Sequence, residues 1–237
     1  MTGPFDQAAD VHANAEHLPE PLPEDPFPLF MSWYKRAQSA KTQPNPNAMT
    51  LATVDPDGRP AARMVLCKGI EPTPGILEFF TNYNSRKAQA LDSSHRAALL
   101  LHWDHLDRQV RIEGLVVRSP ALRNDEYFTS RPWESRIGAW ASEQGQPVAS
   151  REAMLERLMT TMTRFGLDPF NPPTDGSSVK IPRPPHWGGY RLCADRVELW
   201  VSGPGRLHDR AAWTRTVSLD GSGGFKVGSW SSTRLQP

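Results

Sequence analysis

Segments with the composition of β-strands follow one another along the first half of the chain, joined by short turn-forming runs such as DPDG and EPTPG. One short segment among them, SRKAQAL (85–91), has the length of one or two helical turns. Because turns and not helical crossovers join the strands, this order predicts an antiparallel meander. The segments are NAMTLATV (47–54), ARMVLCKGI (62–70), ILEFFT (76–81), AALLLHW (97–103) and RQVRIEGLVVRS (108–119).

Helices are predicted in the middle of the chain. Ser119 and Pro120 form a cap followed by proline, which begins one helix. Pro132 ends it, because proline lacks an amide donor and clashes with the preceding turn, and a second helix then begins near Trp133. Residues 150–166 predict a third helix. Its apolar stripe is expected to face the core and comprises Met154, Leu155, Leu158 and Met162.

The C-terminal part returns to strand-forming segments after a proline-rich connection over residues 167–185. These segments are WGGYRLC, RVELWVS, RLHDRAAWT and FKVGSW, separated by turns of Gly, Asp and Ser. Strands at both ends of the chain, split by a helical insertion and lacking regular βαβ alternation, favour a mainly β fold. We predict a closed or half-closed antiparallel barrel with α-helices packed outside it.

The beginning of the chain differs in character from the rest. Residues 1–24 are polar, acidic and proline-bearing without helical or strand periodicity, which predicts a mobile N-terminal tail. Order is expected to begin at Asp25 and Pro26, a cap and a first-turn proline that begin a short helix. Residues 25–237 are predicted to form a single domain, since a chain of this length can build one ample core.

Charge, hydropathy and cysteine content limit the classes of partner. The formal net charge of +1 gives no electrostatic reason to expect nucleic acid or a membrane surface as a partner. No apolar run approaches the ~18 residues of a membrane span, and the N-terminus lacks the features of a signal peptide, so a cytoplasmic protein is expected. Cys67 and Cys193 lie in apolar strand-like segments, which favours reduced packing residues over disulfide or metal ligands.

The segment RLHDR (206–210) places basic side chains at every second position. In a strand, Arg206, His208 and Arg210 share one face at a spacing of about 6.5–7 Å, while Leu207 and Asp209 point to the other. A solvated strand face gives the same pattern. However, the only acid lies opposite all three bases, and this separation suits an anionic ligand.

Two further groups of residues are candidates for binding an anion. Tyr127, Arg131 and Ser135 recur at helical spacing, with Ser135 in the first turn of the second helix, where free amides favour phosphate. An ordinary helix corner accounts for the same residues. RMVLCK (63–68) and SRK (85–87) add four cations from neighbouring strand ends.

Several common chemistries lack their residues. The sequence has no GxGxxG or GxxxxGK[ST] loop, no HExxH, no CxxC pair and no GxSxG elbow. His102 and His105 have a spacing that suits a metal only on a helix, and they flank a predicted strand end. No metal site is therefore predicted.

Taken together and in order, RMVLCK, FFTNYNSRK, RQVRIEG, YFTSRPWESRIGAWAS, HWGGYRL, ELW and RLHDR resemble the pyridoxine (pyridoxamine) 5′-phosphate oxidase family. The resemblance covers residues 25 to 237. It implies the FMN-binding split barrel, a homodimer with FMN at the subunit interface, a cytoplasmic location and no metal.

The resemblance also implies a role for individual residues. Arg206 and His208 are the implied catalytic groups, positioned over the pyridine ring of the substrate. Substrate binding is implied for Lys68, Tyr127, Arg131, Ser135, Arg206, Leu207 and His208. FMN binding is implied for Arg63, Met64, Val65, Leu66, Cys67, Lys68, Phe80, Thr81, Arg86, Lys87, Gln109, Gln144, Gly145, Trp200 and Arg210.

The implied reaction oxidises pyridoxine or pyridoxamine 5′-phosphate to pyridoxal 5′-phosphate by hydride transfer to FMN, and O2 reoxidises the flavin to give H2O2. Three features depart from the family pattern: Gly145 in place of serine, Val201 in place of glutamine, and a tail without Arg or Tyr. They leave two alternatives open. One is a flavin oxidase of the same fold acting on another compound, as in phenazine biosynthesis; the other is a non-catalytic protein that binds flavin or pyridoxal phosphate.

Overall fold

The computed structural model describes residues 16–174 and 179–237 of the chain. Within them, nine strands form one antiparallel sheet and two short strands form a separate hairpin. The predicted mainly β fold is confirmed. The strands are β1 (Ala48–Val54), β2 (Pro60–Leu66), β3 (Gly69–Glu71), β4 (Ile76–Asn82), β5 (Arg96–Trp103), β6 (Arg108–Arg118), β7 (Trp187–Val201), β8 (Asp209–Thr214), β9 (Val217–Leu219), β10 (Phe225–Val227) and β11 (Ser231–Leu235).

Five α-helices accompany the sheet in the described part of the chain, and all five lie where the sequence predicts helical structure. Pro120 and Pro132 occupy the N-cap positions of two of them, and the Ser150 hydroxyl accepts the Ala153 amide at 3.1 Å to cap a third. None of the described helices has the length and hydropathy to cross a membrane. The helices are α1 (Phe27–Ala40), α2 (Arg86–Ser94), α3 (Ala121–Ser130), α4 (Trp133–Ala141) and α5 (Arg151–Arg164).

Strand β7 is where the barrel divides. One of its edges pairs with β6 over residues 190–201, whereas the other pairs with β4 over residues 187–193 and then with β8 over residues 196–201. The chain also runs directly from β2 into β3, which lie at opposite ends of the path β2-β1-β5-β6-β7-β4-β3. The sheet therefore curls on itself, with β8 and β11 branching from the second half of β7.

The core fills the inside of this curl and extends under helix α1. Strand residues such as Leu51, Leu99 and Ile112 are fully buried, in the alternation expected for strands with one face on the core. From α1, Phe30 stacks on Trp103 with ring centroids 6.5 Å apart. The short helix predicted after Asp25 therefore packs against the barrel core.

Two predictions about local structure are wrong. WGGYRLC and RVELWVS are one continuous strand, β7, because a one-residue register shift at Glu113 and Gly114 of β6 keeps the ladder paired across residue 195. The prediction that the whole apolar stripe of α5 faces the core is also wrong, because only Leu158 and Met162 pack in a buried cluster. Met154 and Leu155 are 51% and 39% exposed, and Met162 is the one buried residue of this helix.

Part of the predicted N-terminal tail packs against the domain. Leu18 is buried, its amide donates to Asp209 at 2.7 Å, and the Trp213 indole donates to the Pro23 carbonyl at 2.7 Å. Residues 16–24 are thus held by β8, although the sequence places them in a mobile segment. Residues 1–15 lie outside the described range, and the division of the chain at residue 25 stays a prediction.

Candidate functional site

The largest group of predicted site residues lines one cavity, which we call the aromatic pocket. It has a volume of about 610 Å³, within the usual range for small-molecule sites. Its aromatic wall is a stack in which Phe80 lies 4.1 Å from Tyr127 and 5.3 Å from Trp187 between ring centroids. The pocket is lined by Met64, Val65, Leu66, Lys68, Phe80, Thr81, Asn82, Lys87, Tyr127, Arg131, Pro132, Ser135, Gly138, Ala139, Ser142, Gln144 and Trp187.

A buried guanidinium lies against this aromatic wall. The guanidinium carbon of Arg131 is 4.7 Å from the centre of the Trp187 ring, and its Nη1 atom is buried without a hydrogen-bond partner in the described structure. Burial lowers the pKa of Arg131. Since an unpaired buried donor is costly, this guanidinium is suited to an anionic ligand that enters the pocket.

The corner between α3 and α4 brings Tyr127, Arg131 and Ser135 together, as their spacing predicts, and Lys68 lines the same cavity. Pro132 sets this corner by ending one helix and capping the next. Ser135 lies in the first turn of α4, where backbone amides favour negative charge. The four substrate-binding residues predicted upstream of β7 therefore share one pocket.

A buried polar network holds α3 against β7 and so holds the pocket wall in place. The Asn124 side chain accepts the Gly189 amide at 2.8 Å and donates to the Ser119 carbonyl at 3.1 Å. A Cβ atom at Gly188 would overlap the Tyr83 hydroxyl and would lie 2.9 Å from Asn124 Nδ2, so a side chain there would displace both groups. Sequence reasoning alone gave these residues no role.

A second cation lies at the other side of the pocket. Lys87 Nζ donates to Gln144 Oε1 at 2.7 Å, and Thr81 donates to the same oxygen at 3.0 Å. Burial and then the positive charge of Arg63 lower the pKa of Lys87 to about 8. An anion near Lys87 would relieve both effects.

Two predicted cofactor residues of this region are occupied by contacts within the chain and do not line the pocket. Arg63 donates to Thr53 Oγ1 at 2.7 Å, and Arg86 Nε donates to the buried carboxylate of Asp55 at 2.6 Å. Cys67 is buried in the barrel core, where desolvation raises the pKa of its thiol to about 12. Cys67 and Cys193 are both free thiols, as predicted.

Three other predicted cofactor residues lie side by side on neighbouring strands, in what we call the distal row. Gln109 of β6 pairs with Trp200 of β7, which pairs with Arg210 of β8. His208 adjoins the row, with its ring centroid 4.7 Å from that of Trp200. The Gly203 amide donates to His208 Nδ1 at 3.2 Å, so the proton of the neutral imidazole is on Nε2.

The prediction that Arg206 continues the strand is wrong. Strand β8 begins at Asp209, and Arg206 ends a 3₁₀ turn with φ of 63°, a left-handed conformation that is uncommon outside glycine. The turn is closed by Gly203, where a Cβ would overlap the Leu207 carbonyl, and by Pro204, which has no amide for a ladder. Arg206, His208 and Arg210 therefore do not form one regular strand face.

The aromatic pocket and the distal row are far apart in the chain. Trp187, in the pocket, begins β7, and Trp200, in the row, stands thirteen residues further along the same strand. At the usual rise per residue this is roughly 40 Å of strand. Gly145 is in neither group and lines a neighbouring groove against α5. A single chain does not bring all the predicted site residues together.

Some residues that line the pocket are absent from the sequence prediction. Trp187 is the clearest, because it stacks on Phe80 and lies under Arg131. Trp187 stands three residues before the buried Tyr190 of the same strand and is itself buried, as a core residue would be, and no spacing rule separates the two roles. Gly138 and Ala139 also line the cavity, where their small size leaves room for a ligand.

The curled antiparallel sheet and the pocket on its outer side define the class of FMN-binding split-barrel proteins. A family model described as pyridoxamine 5′-phosphate oxidase matches residues 36–161, and one described as the pyridoxine 5′-phosphate oxidase C-terminal dimerisation region matches residues 187–237. The chain belongs to the pyridoxamine 5′-phosphate oxidase family.

Relatives and solved structures agree with this assignment. Proteins named pyridoxine/pyridoxamine 5′-phosphate oxidase from Burkholderia lata and Burkholderia thailandensis are 47% and 44% identical, over 90% and 97% of this chain and 89% and 92% of theirs. PhzG from Burkholderia lata, solved with tetrahydrophenazine-1-carboxylic acid, has a TM-score of 0.74 at 28% identity, covering 91% of this chain and 94% of its own. A pyridoxamine 5′-phosphate oxidase-related, FMN-binding protein from Nostoc punctiforme shares the fold, with a TM-score of 0.63 at 20% identity, covering 90% and 97%.

Proposed function

We propose that the protein is an FMN-dependent oxidase that converts pyridoxine 5′-phosphate and pyridoxamine 5′-phosphate to pyridoxal 5′-phosphate in the cytoplasm. The observation that carries the proposal is the unpaired, buried guanidinium of Arg131 in a pocket that also holds Lys68, Tyr127 and Ser135. The family to which the chain belongs and the names of its relatives support the choice of reaction.

The pocket residues fit the phosphate group of such a substrate. Arg131 and Lys68 supply charge-assisted hydrogen bonds, each worth about 1.5–3 kcal/mol. Ser135 and Tyr127 add hydroxyl donors, and the first turn of α4 adds backbone amides. A phosphate dianion held there also satisfies the Arg131 Nη1 donor that the chain leaves unpaired.

FMN fits the same pocket along its other side. The residues that would hold it are Lys87 and Thr81 with Gln144, next to the outer face of β2 at Met64 and Leu66. Lys87 is a cation without a carboxylate partner among the described residues, and its pKa of about 8 favours contact with an anion such as the flavin phosphate. The chemistry of this donor set therefore suits a phosphorylated, planar cofactor.

The distal row completes the site from a second copy of the chain. Gln109, Trp200 and Arg210 would contact FMN, and Arg206, Leu207 and His208 would contact the substrate. All of them except Gln109 lie in the region that matches the family's dimerisation model. Two copies related by a two-fold axis give two such composite sites, because a two-fold contact repeats every pairing. The proposed assembly is thus a homodimer with FMN at its interface.

The reaction removes two hydrogen atoms from the substrate. When bound, FMN would supply the acceptor for the hydride that leaves C4′, and the electrons would pass to O2 to give H2O2. The alcohol and O2 yield the aldehyde and H2O2; the amine also takes up water and releases ammonia. Arg206 and the Nε2–H of His208 act as donors that orient the substrate, while the pocket fixes its phosphate, so that C4′ is held in reacting contact.

A second candidate is a flavin oxidase of the same fold with a phenazine-type substrate. The likeness to PhzG favours it, since that protein was solved with a tricyclic acid. The third alternative, a flavin- or pyridoxal-phosphate-binding protein without turnover, uses the same pocket without the hydride transfer. The cationic groups of the pocket favour the phosphorylated substrate over the tricyclic acid.

Anaerobic reduction of the bound flavin distinguishes these three candidate functions. The purified protein is expected to show a flavin absorption spectrum that pyridoxine 5′-phosphate or pyridoxamine 5′-phosphate bleaches, and O2 should then restore it with one H2O2 formed per pyridoxal 5′-phosphate. Bleaching by tetrahydrophenazine-1-carboxylic acid alone would favour the second candidate. A flavin that none of the three compounds reduces would favour the non-catalytic one, and a protein that binds no flavin would overturn the whole proposal.

A further inference from the structure

A buried carboxylate lies beside the distal row. Glu198 of β7 is only 2% exposed, although its side chain is on the outer face of the sheet, opposite the core residues Val197 and Leu199. Burying a carboxylate is costly unless it is paired and hydrogen-bonded. Glu198 is paired with arginines, one of which hydrogen-bonds its Oε1, whereas its Oε2 accepts no hydrogen bond within the described structure.

Two arginines from the flanking strands hold the Glu198 carboxylate. Its Oε1 accepts Arg210 Nε at 3.1 Å and Arg210 Nη2 at 2.7 Å, and its Oε2 lies 2.8 Å from Arg111 Nη2. The Gln236 carbonyl accepts Arg210 Nη1 at 2.9 Å. Glu198 and the Gln236 carbonyl therefore hold Arg210 from two directions. These contacts use one N–H on each nitrogen of the guanidinium, and since the group carries five N–H donors, one N–H remains unused on each Nη atom.

Stability alone is a weak reason for this arrangement. Strands β6, β7 and β8 are already joined by backbone ladders through residues 111, 198 and 212. Replacing a buried ion pair by packed apolar residues is often neutral or stabilising, so such a pair adds little to a sheet that is already formed. What the carboxylate does supply is a fixed direction for the Arg210 side chain.

We propose that Glu198 is a positioning residue that fixes the Arg210 guanidinium with its free N–H groups directed toward FMN. The inference rests on the proposed function, in which Arg210 contacts the cofactor. Arg111 lies within ion-pair distance of the second oxygen of Glu198, and the three side chains together keep a net charge of +1. The cluster thus orients Arg210 without cancelling the positive charge that an anionic cofactor meets.

The test compares FMN affinity in matched variants. FMN would be titrated into the apoprotein, with binding followed by the quenching of flavin fluorescence, so that turnover is not required. Glu198→Gln retains shape and one acceptor oxygen but removes the charge, and it is expected to weaken FMN binding about tenfold. Glu113→Gln is the control, because Glu113 lies on the same sheet face and pairs with Arg111 at 3.1 Å without contacting Arg210. It should change the affinity less than twofold.

A double-mutant cycle separates positioning from a structural role. In an Arg210→Met background, Glu198→Gln should have almost no further effect on FMN affinity, because the group that Glu198 positions is gone. The same tenfold loss in both backgrounds would overturn the inference, as would an unchanged affinity in Glu198→Gln alone. If Glu198→Gln does not fold, Glu198→Asp, which keeps the charge but withdraws the carboxylate, takes its place in the cycle.

Failure of the proposed function gives a different result. If the wild-type apoprotein binds no FMN, or if Arg210→Met binds it as tightly as the wild type, the assignment of Arg210 to the cofactor is wrong and this inference falls with it. If Arg210→Met weakens binding and Glu198→Gln does not, only the inference about Glu198 is wrong.

Discussion

The aromatic pocket and the distal row are built in different ways. The pocket is walled by a stack of three aromatic rings and supported by the Asn124 network, so its side chains are held by contacts within one chain. The distal row lies on three strands, but its neighbours Arg206 and Leu207 are in a tight turn, and Leu207 is 61% exposed. One half of the predicted site is a half-open pocket, and the other faces outward.

This difference indicates how the two halves are used. A concave pocket with an unpaired guanidinium suits a small anion, whereas an outward-facing group of aromatic and cationic side chains suits contact with the surface of another molecule. Because Trp187 and Trp200 stand at opposite ends of β7, the proposed function requires a second chain to bring the two halves together. The variants below test whether the pocket and the distal row have these separate roles.

The largest effect on activity is expected at Arg206, in the turn beside the distal row. Arg206→Met keeps the bulk of the side chain and removes its charge, and it should lower kcat about 10²- to 10³-fold while FMN affinity stays within a factor of two. Steady-state kinetics and flavin titration measure the two quantities. Arg196→Met is the control, since Arg196 lies on the same sheet and pairs with Glu113 at 3.8 Å. Unchanged turnover in Arg206→Met would remove that residue from the site.

A smaller loss is expected in the pocket. Arg131→Met removes the phosphate partner but keeps contact with Trp187, so kcat/KM for pyridoxine 5′-phosphate should fall about tenfold to a hundredfold, mainly through KM. Arg164→Met, which removes a guanidinium lying over Trp140 on the other side of α4, serves as the control. Equal losses in the two variants would show that Arg131 acts only through packing.

Mixing the two impaired variants, assayed at a substrate concentration far below KM so that both are slow, tests whether the halves come from different chains. If Arg131→Met and Arg206→Met protomers exchange freely, half of the dimers are mixed and each contains one intact composite site, which restores about a quarter of wild-type activity. Activity after unfolding and refolding the mixture measures this. A mixture no more active than its components would place both halves of the site in the same chain.

The smallest effect is a pH dependence of cofactor binding. The pKa of Lys87 is lowered to about 8, so its ammonium is lost as pH rises through that value, and FMN binding should weaken several-fold between pH 7 and 9. The stability of the apoprotein depends on pH in the opposite direction. Lysine has a higher pKa in the unfolded state, so above pH 8 the unfolded state binds more protons than the folded state. The Lys87 group therefore makes folding more favourable as pH rises.

Lys87→Arg provides the comparison, because its charge persists over this pH range. Flavin titrations at several pH values should show a flat profile for this variant and a falling affinity for the wild type. Identical profiles would mean that Lys87 does not contact the flavin phosphate.

Much of the architecture can be predicted from local signals. The caps and prolines at Pro120, Pro132 and Ser150 place three helices, and the apolar alternation of the strands indicates an antiparallel barrel. Local signals fail where burial depends on distant neighbours. The stripe of α5 at Met154 and Leu155 has helical periodicity, but no part of the described chain covers it.

The candidate site is likewise predicted where local spacing decides and missed where distant neighbours decide. The spacing of Tyr127, Arg131 and Ser135 predicts a shared face, and the fold brings them into one pocket. No local pattern distinguishes Trp187 from a core residue, or shows that Arg63 and Arg86 are occupied by Thr53 and Asp55. Those contacts depend on which strands become neighbours.

The sequence by itself determined the strands, the helix ends, the reduced cysteines and the resemblance to an oxidase family, because these depend on residue type and short spacing. The tertiary structure decided which cations remain free for a ligand, that RLHDR is a turn before a strand, and that the site residues fall into two groups along β7. The physical reason is that pairing and burial are set between segments distant in the chain, through strand register and the change of partner that divides the sheet.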